Sequence, residues 1–250
     1  MKRYELSEGQ WARIAPLLPG KVSAPGRTAA DNRLFVNGVL WVLRSGAHWP
    51  DLPERYGKWK TVHTRFSRWV RKGIWEKVFE DLIKDRYNKY LMLDTTLVRV
   101  HQQAANGKGG PQSQAMGRSR GGLTTKVHMV CDTSGPPLRF KLDAGQRHDN
   151  LAAKALLDGF ETQAVLADKA YDSNDLRQAI ADMGAEAVSP STRSRKNPIP
   201  HDRGIYKQRN LIERCFNKLK HFRRFATRYD RRAHHFLAFI HLAASIIWLR

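Results

Sequence analysis

Cysteine is scarce in this chain: the 250 residues include only Cys131 and Cys215, and neither belongs to a CxxC pair. This scarcity excludes a disulfide framework and a structural zinc site, so we expect a reducing compartment. A long apolar run is also absent, because the apolar stretch 236–250 falls short of about 20 residues and includes His241. We therefore predict a buried core helix over 236–250, no membrane association, no signal peptide and a cytoplasmic protein.

Acidic residues are outnumbered, with 23 Asp and Glu against 44 Lys and Arg, which gives a formal net charge of +21. Self-repulsion of this size destabilises a compact chain unless a polyanion is the usual partner. Nucleic acid is the first candidate partner, and an anionic membrane surface is the second, which the lack of a membrane-spanning run disfavours. Hydrophobic residues make up 41% of the chain, which is enough for a packed core and excludes global disorder.

Residues 1–88 have the pattern of an all-helical domain. Ser7 and Asp31 are placed to cap two helices, and Gly46 is placed to end the second. A further helix over 58–73 has one apolar and one basic face, so the pair resembles a helix-turn-helix arrangement. The alternative is a solvated face on an ordinary helical bundle. The basic residues that we predict to bind DNA here are Lys58, Lys60, Arg65 and Arg68.

Residues 89–250 have an α/β pattern, in which strands alternate or are apolar and helices have a period of about 3.6 residues. The order is three antiparallel strands, helix, strand, helix, strand and helix. The strands are predicted at 91–101, 123–133, 137–146, 163–172 and 186–192. This order matches the ribonuclease H-like fold, a mixed five-stranded sheet flanked by helices. We therefore divide the chain into a helical DNA-binding domain, 1–88, and a ribonuclease H-like domain, 89–250.

A stretch rich in Gly, Gln and Ser, residues 102–122, separates the first two predicted strands. A loop of this length within a compact domain is usually functional or disordered. It carries Lys108, Arg118 and Arg120 and no acid, so we predict a mobile loop that becomes ordered on DNA. Disorder without DNA contacts is the alternative.

Two aspartates stand where carboxylates are unusual. Asp94 lies inside a predicted strand after apolar residues, and Asp168 follows the apolar run AVLA at the exit of another. Carboxylates rarely occur there unless they are paired or bind a metal, and ligand sites of α/β sheets lie at the carboxyl ends of strands. Asp94 and Asp168 are therefore candidates for one shared site, although strand-end turn residues are the alternative for each.

The basic segment 203–229 contains a single acid, Glu213. At 100° per residue, Glu213 shares an arc of about 60° with three other polar residues beside the apolar helix face. These residues are Tyr206, Arg209 and Lys220. An ion pair of Arg209 with Glu213 is the alternative interpretation, and it leaves Tyr206 and Lys220 unexplained.

Three carboxylates from two strands and a helix would form an oxygen-rich site. Such a site suits Mg²⁺ or Mn²⁺ rather than zinc. Two such ions can activate a water or a 3′-hydroxyl and stabilise the leaving oxygen of a phosphodiester. We therefore expect Mg²⁺ or Mn²⁺, with two ions, at Asp94, Asp168 and Glu213.

Tyr206, Arg209, Glu213 and Lys220 fit the Y-x2-R-x3-E-x6-K signature of bacterial insertion-sequence transposases with a DDE triad. The runs LMLDTT and LADKAYDS resemble the first-Asp and second-Asp regions of the same family. The block 38–69 resembles the helical DNA-binding domain of its insertion-sequence-five group. The resemblance covers nearly the whole chain.

The resemblance implies a ribonuclease H-like catalytic domain that cleaves element ends and transfers the strand into target DNA with a divalent metal. By position, the catalytic and metal-binding triad is Asp94, Asp168 and Glu213. Arg209 and Lys220 would contact phosphate near the site, and Tyr206 would support the site or the cleaved strand.

The expected partners are double-stranded DNA of the terminal inverted repeats and of the target, and a second copy of the chain, since joining two ends requires at least two protomers. The alternatives are a metal-dependent endonuclease and a DNA-binding regulator, both without strand transfer.

Overall fold

The computed structural model describes residues 4–21, 28–84, 86–106 and 109–250. The α-helices of these residues are α1 (Glu8–Ile14), α2 (Asn32–Ser45), α3 (Trp59–Arg71), α4 (Ile74–Leu82), α5 (Gly110–Ser113), α6 (Asn150–Leu157), α7 (Asn174–Asp182), α8 (Arg203–Tyr206), α9 (Asn210–Lys220), α10 (Arg223–Ala226) and α11 (Ala233–Trp248).

The strands of the same residues are β1 (Tyr90–Val100), β2 (Gly117–Ser119), β3 (Gly122–Cys131), β4 (Pro137–Ala144), β5 (Ala164–Ala167), β6 (Glu186–Val188) and β7 (Thr227–Arg228). Short 3-10 turns join several of the elements, and two of them, Lys169–Tyr171 and Lys207–Arg209, belong to the site described below.

The chain divides by packing into two compact units. The helical unit comprises Met1–Lys84 together with Leu219–Arg250, and the α/β unit comprises Asp85–Lys218. Packing therefore groups the last 32 residues with the N-terminal helices, whereas the sequence pattern led us to assign them to the catalytic domain. The functional division at 88 and 89 stays a prediction.

Local sequence signals explain where the first helices of the helical unit begin and end. Ser7 and Gln10 form a capping box at the start of α1. The Asp31 side chain accepts a hydrogen bond from the Leu34 amide at the start of α2, and Gly46 ends that helix in the left-handed conformation, with φ of 72°. The predicted caps and stop are confirmed.

The core of the helical unit is aromatic. Phe66 of α3 stacks on Phe239 of α11 with ring centroids 4.6 Å apart, and Trp49 and Trp75 lie within 5.4 and 6.0 Å of Phe66. Helix α11 packs against α2, α3 and α4, and most of its residues are buried. It is the core helix predicted over 236–250. None of the helices in the described part of the chain has the length and apolarity that a bilayer crossing requires.

The α/β unit is built on a mixed sheet with the order β2-β3-β1-β5-β6, in which β4 also pairs with β3. Strands β1, β3 and β4 are antiparallel neighbours, whereas β5 runs parallel to β1 and β6 parallel to β5. Helix α6 packs on β3 and β4, and α7 on β6 and α6. The predicted mixed five-stranded sheet with flanking helices is confirmed, and the short strand β2 is added to it.

The parallel pairing determines where the site can form. Leu93 of β1 lies opposite Ala167 of β5, and Leu166 lies opposite Val188 of β6. The carboxyl ends of β5 and β6 therefore lie at the same end of the parallel strands as the middle of β1, where Asp94 stands. We call this end the carboxyl edge, because ligands of α/β sheets bind there.

The described residues of the segment 102–122 include regular structure that the loop prediction did not contain. The segment contains a 3-10 turn at Gln102–Ala104, the short helix α5 and strand β2. Ala104 and Met116 are fully buried and pack with Val100, with Leu123 beside them. These apolar side chains anchor the segment, and their signal was diluted by the surrounding Gly, Gln and Ser. Lys108 lies outside the described residues.

Candidate active site

Asp94 stands in β1 at the carboxyl edge, with its side chain 17% exposed. Its Oδ1 accepts a hydrogen bond from the Thr95 amide at 2.8 Å, and its Oδ2 lies 3.0 Å from Arg209 Nη1. Burial raises the pKa of the Asp94 carboxyl above its usual value and the charge of Asp168 adds to this, while the Thr95 amide and Arg209 oppose it. The net direction is upward, as expected for a carboxylate placed against its preference for water.

Asp168 follows β5 directly and caps the 3-10 turn Lys169–Tyr171, where its Oδ1 accepts a hydrogen bond from the Ala170 amide at 2.8 Å. Leu93 and Ala167 are paired across the parallel strands β1 and β5. Asp94 and Asp168 each follow one member of this pair, so they lie next to each other in space. The charge of Asp168 contributes to the raised pKa of Asp94, which agrees with this placement. The structure therefore brings together the two aspartates that the sequence singled out.

Glu213 is joined to Asp94 through an arginine. Arg209 Nη1 lies 3.0 Å from Asp94 Oδ2, and its Nη2 lies 2.5 Å from Glu213 Oε1. Burial alone would lower the pKa of the Arg209 guanidinium, but the charges of Asp94, Tyr206 and Glu213 raise it. The i,i+4 ion pair of Arg209 with Glu213, which was the alternative interpretation, is present. The same arginine also binds the carboxylate of Asp94, 115 residues earlier in the chain.

Asp94, Asp168 and Glu213 together have the chemistry of a divalent-ion site. Its three side chains offer only carboxylate oxygens, which Mg²⁺ and Mn²⁺ prefer. Among the described residues, no three acidic, histidine or cysteine side chains lie close enough together to hold a metal ion as they stand. The positive charge between Asp94 and Glu213 is instead the Arg209 guanidinium, so the site already accommodates a cation between two of its acids.

The other two signature residues differ in their placement. The Tyr206 ring lies 5.9 Å from the Arg209 guanidinium and makes an edge contact with His201. Tyr206 therefore supports the arginine that bridges the acids. Lys220 is exposed at the end of α9, seven residues after Glu213, and packing assigns it to the helical unit.

The basic residues predicted to bind DNA outside the signature are not equivalent. Lys58, Lys60 and Arg68 are exposed on and before α3. Arg65 is half-buried, with its guanidinium 4.2 Å from the Phe35 ring and 5.0 Å from the Trp69 ring. Arg65 is thus used in packing, which leaves it less available to DNA than its neighbours. Arg118 in β2 and Arg120 in the following turn are exposed.

A buried hydrogen-bond network that the sequence pattern does not reveal connects the neighbourhoods of the two aspartates. Thr95 Oγ1 lies 2.7 Å from His128 Nδ1 and 2.6 Å from Tyr171 Oη. Burial lowers the pKa of His128 and raises the pKa of Tyr171, although the hydrogen bond with Thr95 opposes the latter shift. A neutral His128 protonated on Nε2 satisfies the network, because Tyr171 then donates to Thr95 and Thr95 donates to Nδ1.

This network joins the residue after Asp94 to the turn that follows Asp168. Thr95 and His128 are cross-strand partners in the β1–β3 register, so a correct strand alignment would have placed them together. The His128 Nε2 atom lies 3.4 Å from Asp143 Oδ2 of β4, but among the described residues neither atom has a hydrogen-bond partner, so the network ends at His128. Tyr171 gave no such signal, since a tyrosine after a strand is usually a core residue.

Comparison with known families gives two matches that together span most of the chain. Residues 6–79 match a family described as putative transposase of IS4/5 family, and residues 89–248 match the transposase DDE domain. The first match ends at residue 79 and the second begins at residue 89.

Two relatives identified by sequence agree with these matches. A putative transposase for insertion sequence element IS6501 from Brucella ovis is 40% identical over 130 residues, which are 51% of this chain and 100% of the relative. A putative transposase for IS402 from Burkholderia cepacia is 30% identical over 151 residues, 56% of this chain and 69% of that protein. The structure of a piggyBac transposase synaptic complex with hairpin DNA gives a TM-score of 0.43 at 15% identity, covering 75% of this chain and 48% of that one.

Proposed function

The chain belongs to the insertion-sequence transposases that carry a DDE domain, and we propose that Asp94, Asp168 and Glu213 are the carboxylates with which it cleaves and joins DNA. The family implies DNA binding, DNA cleavage and dependence on a divalent metal ion. The observation that carries the assignment is the Arg209 bridge, which links Asp94 to Glu213 beside the electrostatically coupled Asp168.

The proposed metal ligands are the same three carboxylates, and the proposed metal is Mg²⁺ or Mn²⁺, with two ions bound. When bound, such ions supply Lewis acidity at the scissile phosphodiester and an activated oxygen nucleophile. The Thr95 amide orients Oδ1 of Asp94, and the Ala170 amide orients Asp168. These hydrogen bonds fix the carboxylates before DNA arrives, which reduces the entropic cost of assembling the site.

Arg209 has two roles in this proposal. Its guanidinium holds Asp94 and Glu213 in reach of each other while no DNA is bound. A DNA phosphate is an equally good bidentate acceptor, so the arginine can exchange a carboxylate for a phosphate near the cleavage point. Lys220 and Tyr206 complete the set, as a further phosphate contact and as the support of Arg209.

We further propose that residues 1–88 bind the terminal inverted repeats, with Lys58, Lys60 and Arg68 as direct phosphate contacts and Arg65 as a packed support. Arg118 and Arg120 would contact DNA from the α/β unit. Two copies of the chain would join the two element ends and the target DNA. A cytoplasmic protein that associates with the nucleoid follows from this activity and stays a prediction.

Substitution of Glu213 by Gln tests the triad, with the chain assayed on the DNA that flanks its gene in the presence of Mg²⁺ or Mn²⁺. We expect end cleavage to fall by at least about 10³-fold, because one metal ligand is removed, while end binding stays within a few-fold of the wild type. The matched control is Glu161→Gln, which neutralises an exposed glutamate before β5, away from the carboxyl edge.

The outcomes separate the rival functions. Full cleavage by Glu213→Gln would contradict the triad. Cleavage by the wild type without joined products would indicate a metal-dependent endonuclease, and binding without any cleavage would indicate a DNA-binding regulator.

A further inference from the structure

An open polar groove of about 400 Å³ lies in the α/β unit, at the chain segment that follows Asp168 and its 3-10 turn. Its walls come from the turn after Asp168, the start of α7 and the segment after β6. The lining residues are Asp172, Ser173, Asn174, Thr192, Ser194, Arg195, Lys196 and Asn197. Because β5 and β6 are parallel, this groove opens at the same carboxyl edge as Asp94 and Asp168.

The groove is organised by the buried side chain of one of its lining residues, Asp172. The Asp172 side chain has no solvent exposure. Its Oδ1 accepts hydrogen bonds from Arg177 Nε and Arg195 Nη2, both at 2.8 Å. Its Oδ2 accepts from the Thr192 amide at 2.7 Å and from Arg195 Nε at 2.9 Å. Burial alone would raise the pKa of Asp172, but these hydrogen bonds lower it well below its usual range.

The local charge is positive. One carboxylate neutralises only one of the two arginines that it binds, and the exposed Lys196 adds a further charge. The next acid along the chain, Asp175, is paired with Lys154 at 2.6 Å. The surplus charge therefore has no acidic partner among the described residues that line the groove.

The hydrogen bonds also leave the groove with donors. Asn174 Oδ1 accepts from Arg195 Nη1 at 2.7 Å, so the amide nitrogen is the group of Asn174 that is left to face a ligand. Ser173 Oγ accepts from the Leu176 amide at 3.2 Å, which leaves its hydroxyl hydrogen to donate. Cationic and neutral donors of this kind are the groups that recognise phosphate oxygens.

We propose that this groove binds a backbone phosphate of the DNA strand next to the scissile bond. The inference rests on the proposed function, since it takes DNA to be cleaved at Asp168, four residues before Asp172 in the chain. Asp172 and the hydrogen bonds that it accepts, which we call the Asp172 hub, join the start of α7 to the segment after β6. Asn174 and Lys196 contact the phosphate. The contact is to the backbone, so it positions the strand without reading its sequence.

Asn174→Asp is the most discriminating variant. Aspartate keeps the oxygen that accepts from Arg195 and suits the first turn of α7, so a purely structural role predicts unchanged or higher thermal stability. A phosphate site predicts weaker DNA binding, because the donor becomes a negative charge. We expect about a tenfold weaker affinity for a labelled duplex of the element-flanking DNA, measured by fluorescence anisotropy over several salt concentrations.

Lys196→Ala removes one phosphate contact without touching the Asp172 hub. We expect the slope of log affinity against log salt concentration to become shallower by about 0.9. The control for both variants is Lys89→Ala, which makes the same change of net charge before β1, at the opposite edge of the sheet, and should bind like the wild type.

The results distinguish this proposal from the triad. If both groove variants have the affinity and salt slope of Lys89→Ala, the proposal that the groove binds a phosphate is rejected. This conclusion does not depend on the cleavage activity of Glu213→Gln. Cleavage retained by Glu213→Gln would overturn the triad instead. If Asn174→Asp lowers thermal stability, Lys196→Ala decides alone: a shallower salt slope supports the phosphate site and an unchanged one rejects it.

Discussion

The two units of this chain pair arginines with carboxylates in different ways. In the helical unit, Arg224 and Asp230 form a closed pair, with both guanidinium–carboxylate contacts at 3.2 Å. At the carboxyl edge of the α/β unit, one arginine serves two acids, since Arg209 binds Asp94 and Glu213. Close by, Asp172 binds two arginines.

A one-to-one ion pair and a charge shared between two partners have different consequences, the first for the fold and the second for ligand binding. A closed buried pair satisfies its partners and leaves no charge for a ligand, so its contribution is to the fold. A shared charge leaves one group incompletely neutralised, which is the condition for binding a metal ion or a phosphate. We therefore expect substitutions in the helical core to change stability and substitutions at the carboxyl edge to change chemistry.

The largest expected effect on the fold comes from Phe66→Ala. Phe66 is fully buried between Phe239 and Trp75, and its removal leaves a cavity. We expect the free energy of unfolding to fall by about 3–5 kcal/mol in urea titrations. The rate of cleavage from DNA-bound protein, measured where the variant is folded, should stay within about twofold of the wild type.

Phe66→Leu is the matched control, because it keeps most of the buried volume and should lose much less stability. A slower cleavage rate in folded Phe66→Ala would break the division between a structural and a chemical unit.

A smaller effect should follow from the buried histidines of the helical unit. His241 stacks on Phe79, with ring centroids 5.4 Å apart, and burial lowers its pKa to about 4. Because the folded pKa lies below the unfolded value of 6.5, the unfolded state takes up the proton first as the pH falls. Stability is then lost between pH 6.5 and about 4, by up to about 3 kcal/mol for this residue.

The measurement is urea unfolding of the wild type and of His241→Leu at pH 7.5 and pH 4.5. The variant should lose less stability than the wild type between these two values. His148→Leu, which removes an exposed histidine of the α/β unit, should leave the pH dependence unchanged. Equal acid sensitivity of wild type and His241→Leu would show that His241 is not the source.

Much of this comparison could be predicted from the sequence, because its signals are local. Ser7, Asp31 and Gly46 delimit helices through groups within a few residues of each other. Asp94 and Asp168 were recognised because carboxylates are unusual after apolar strand residues, and the parallel-strand rule placed them at one edge. These inferences use periodicity and chemistry that are visible within a short window.

The parts that could not be predicted depend on distant partners. The contact of Arg209 with Asp94 spans 115 residues, and no local pattern encodes it. In the sequence Asp172 has the pattern of an ordinary turn residue, and only the folded structure shows that Arg195 lies beside it. The grouping of 219–250 with the N-terminal helices is likewise a matter of long-range packing, which an apolar helix permits with either unit.

The smallest expected effect concerns the network that joins the two aspartates. Tyr171→Phe removes the hydroxyl that lies 2.6 Å from Thr95 Oγ1 and leaves Thr95 its bond to His128. The turn after Asp168 would then be held less firmly against β1. We expect the cleavage rate at saturating DNA to fall about tenfold, which is about 1.4 kcal/mol in the barrier, with DNA affinity unchanged.

A purely structural role for Tyr171 would lower stability without changing how the rate depends on Mg²⁺. A positioning role predicts that the Mg²⁺ concentration for half-maximal cleavage rises, because the two aspartates are less well preorganised to share an ion. Thr95→Val should act through the same bond, so the double variant should be no worse than the more impaired single variant. Tyr87→Phe, at a tyrosine that is 60% exposed, serves as the control. An unchanged Mg²⁺ dependence in Tyr171→Phe would assign the network to the fold, and the carboxyl edge would then share that purpose with the closed pair of the helical unit.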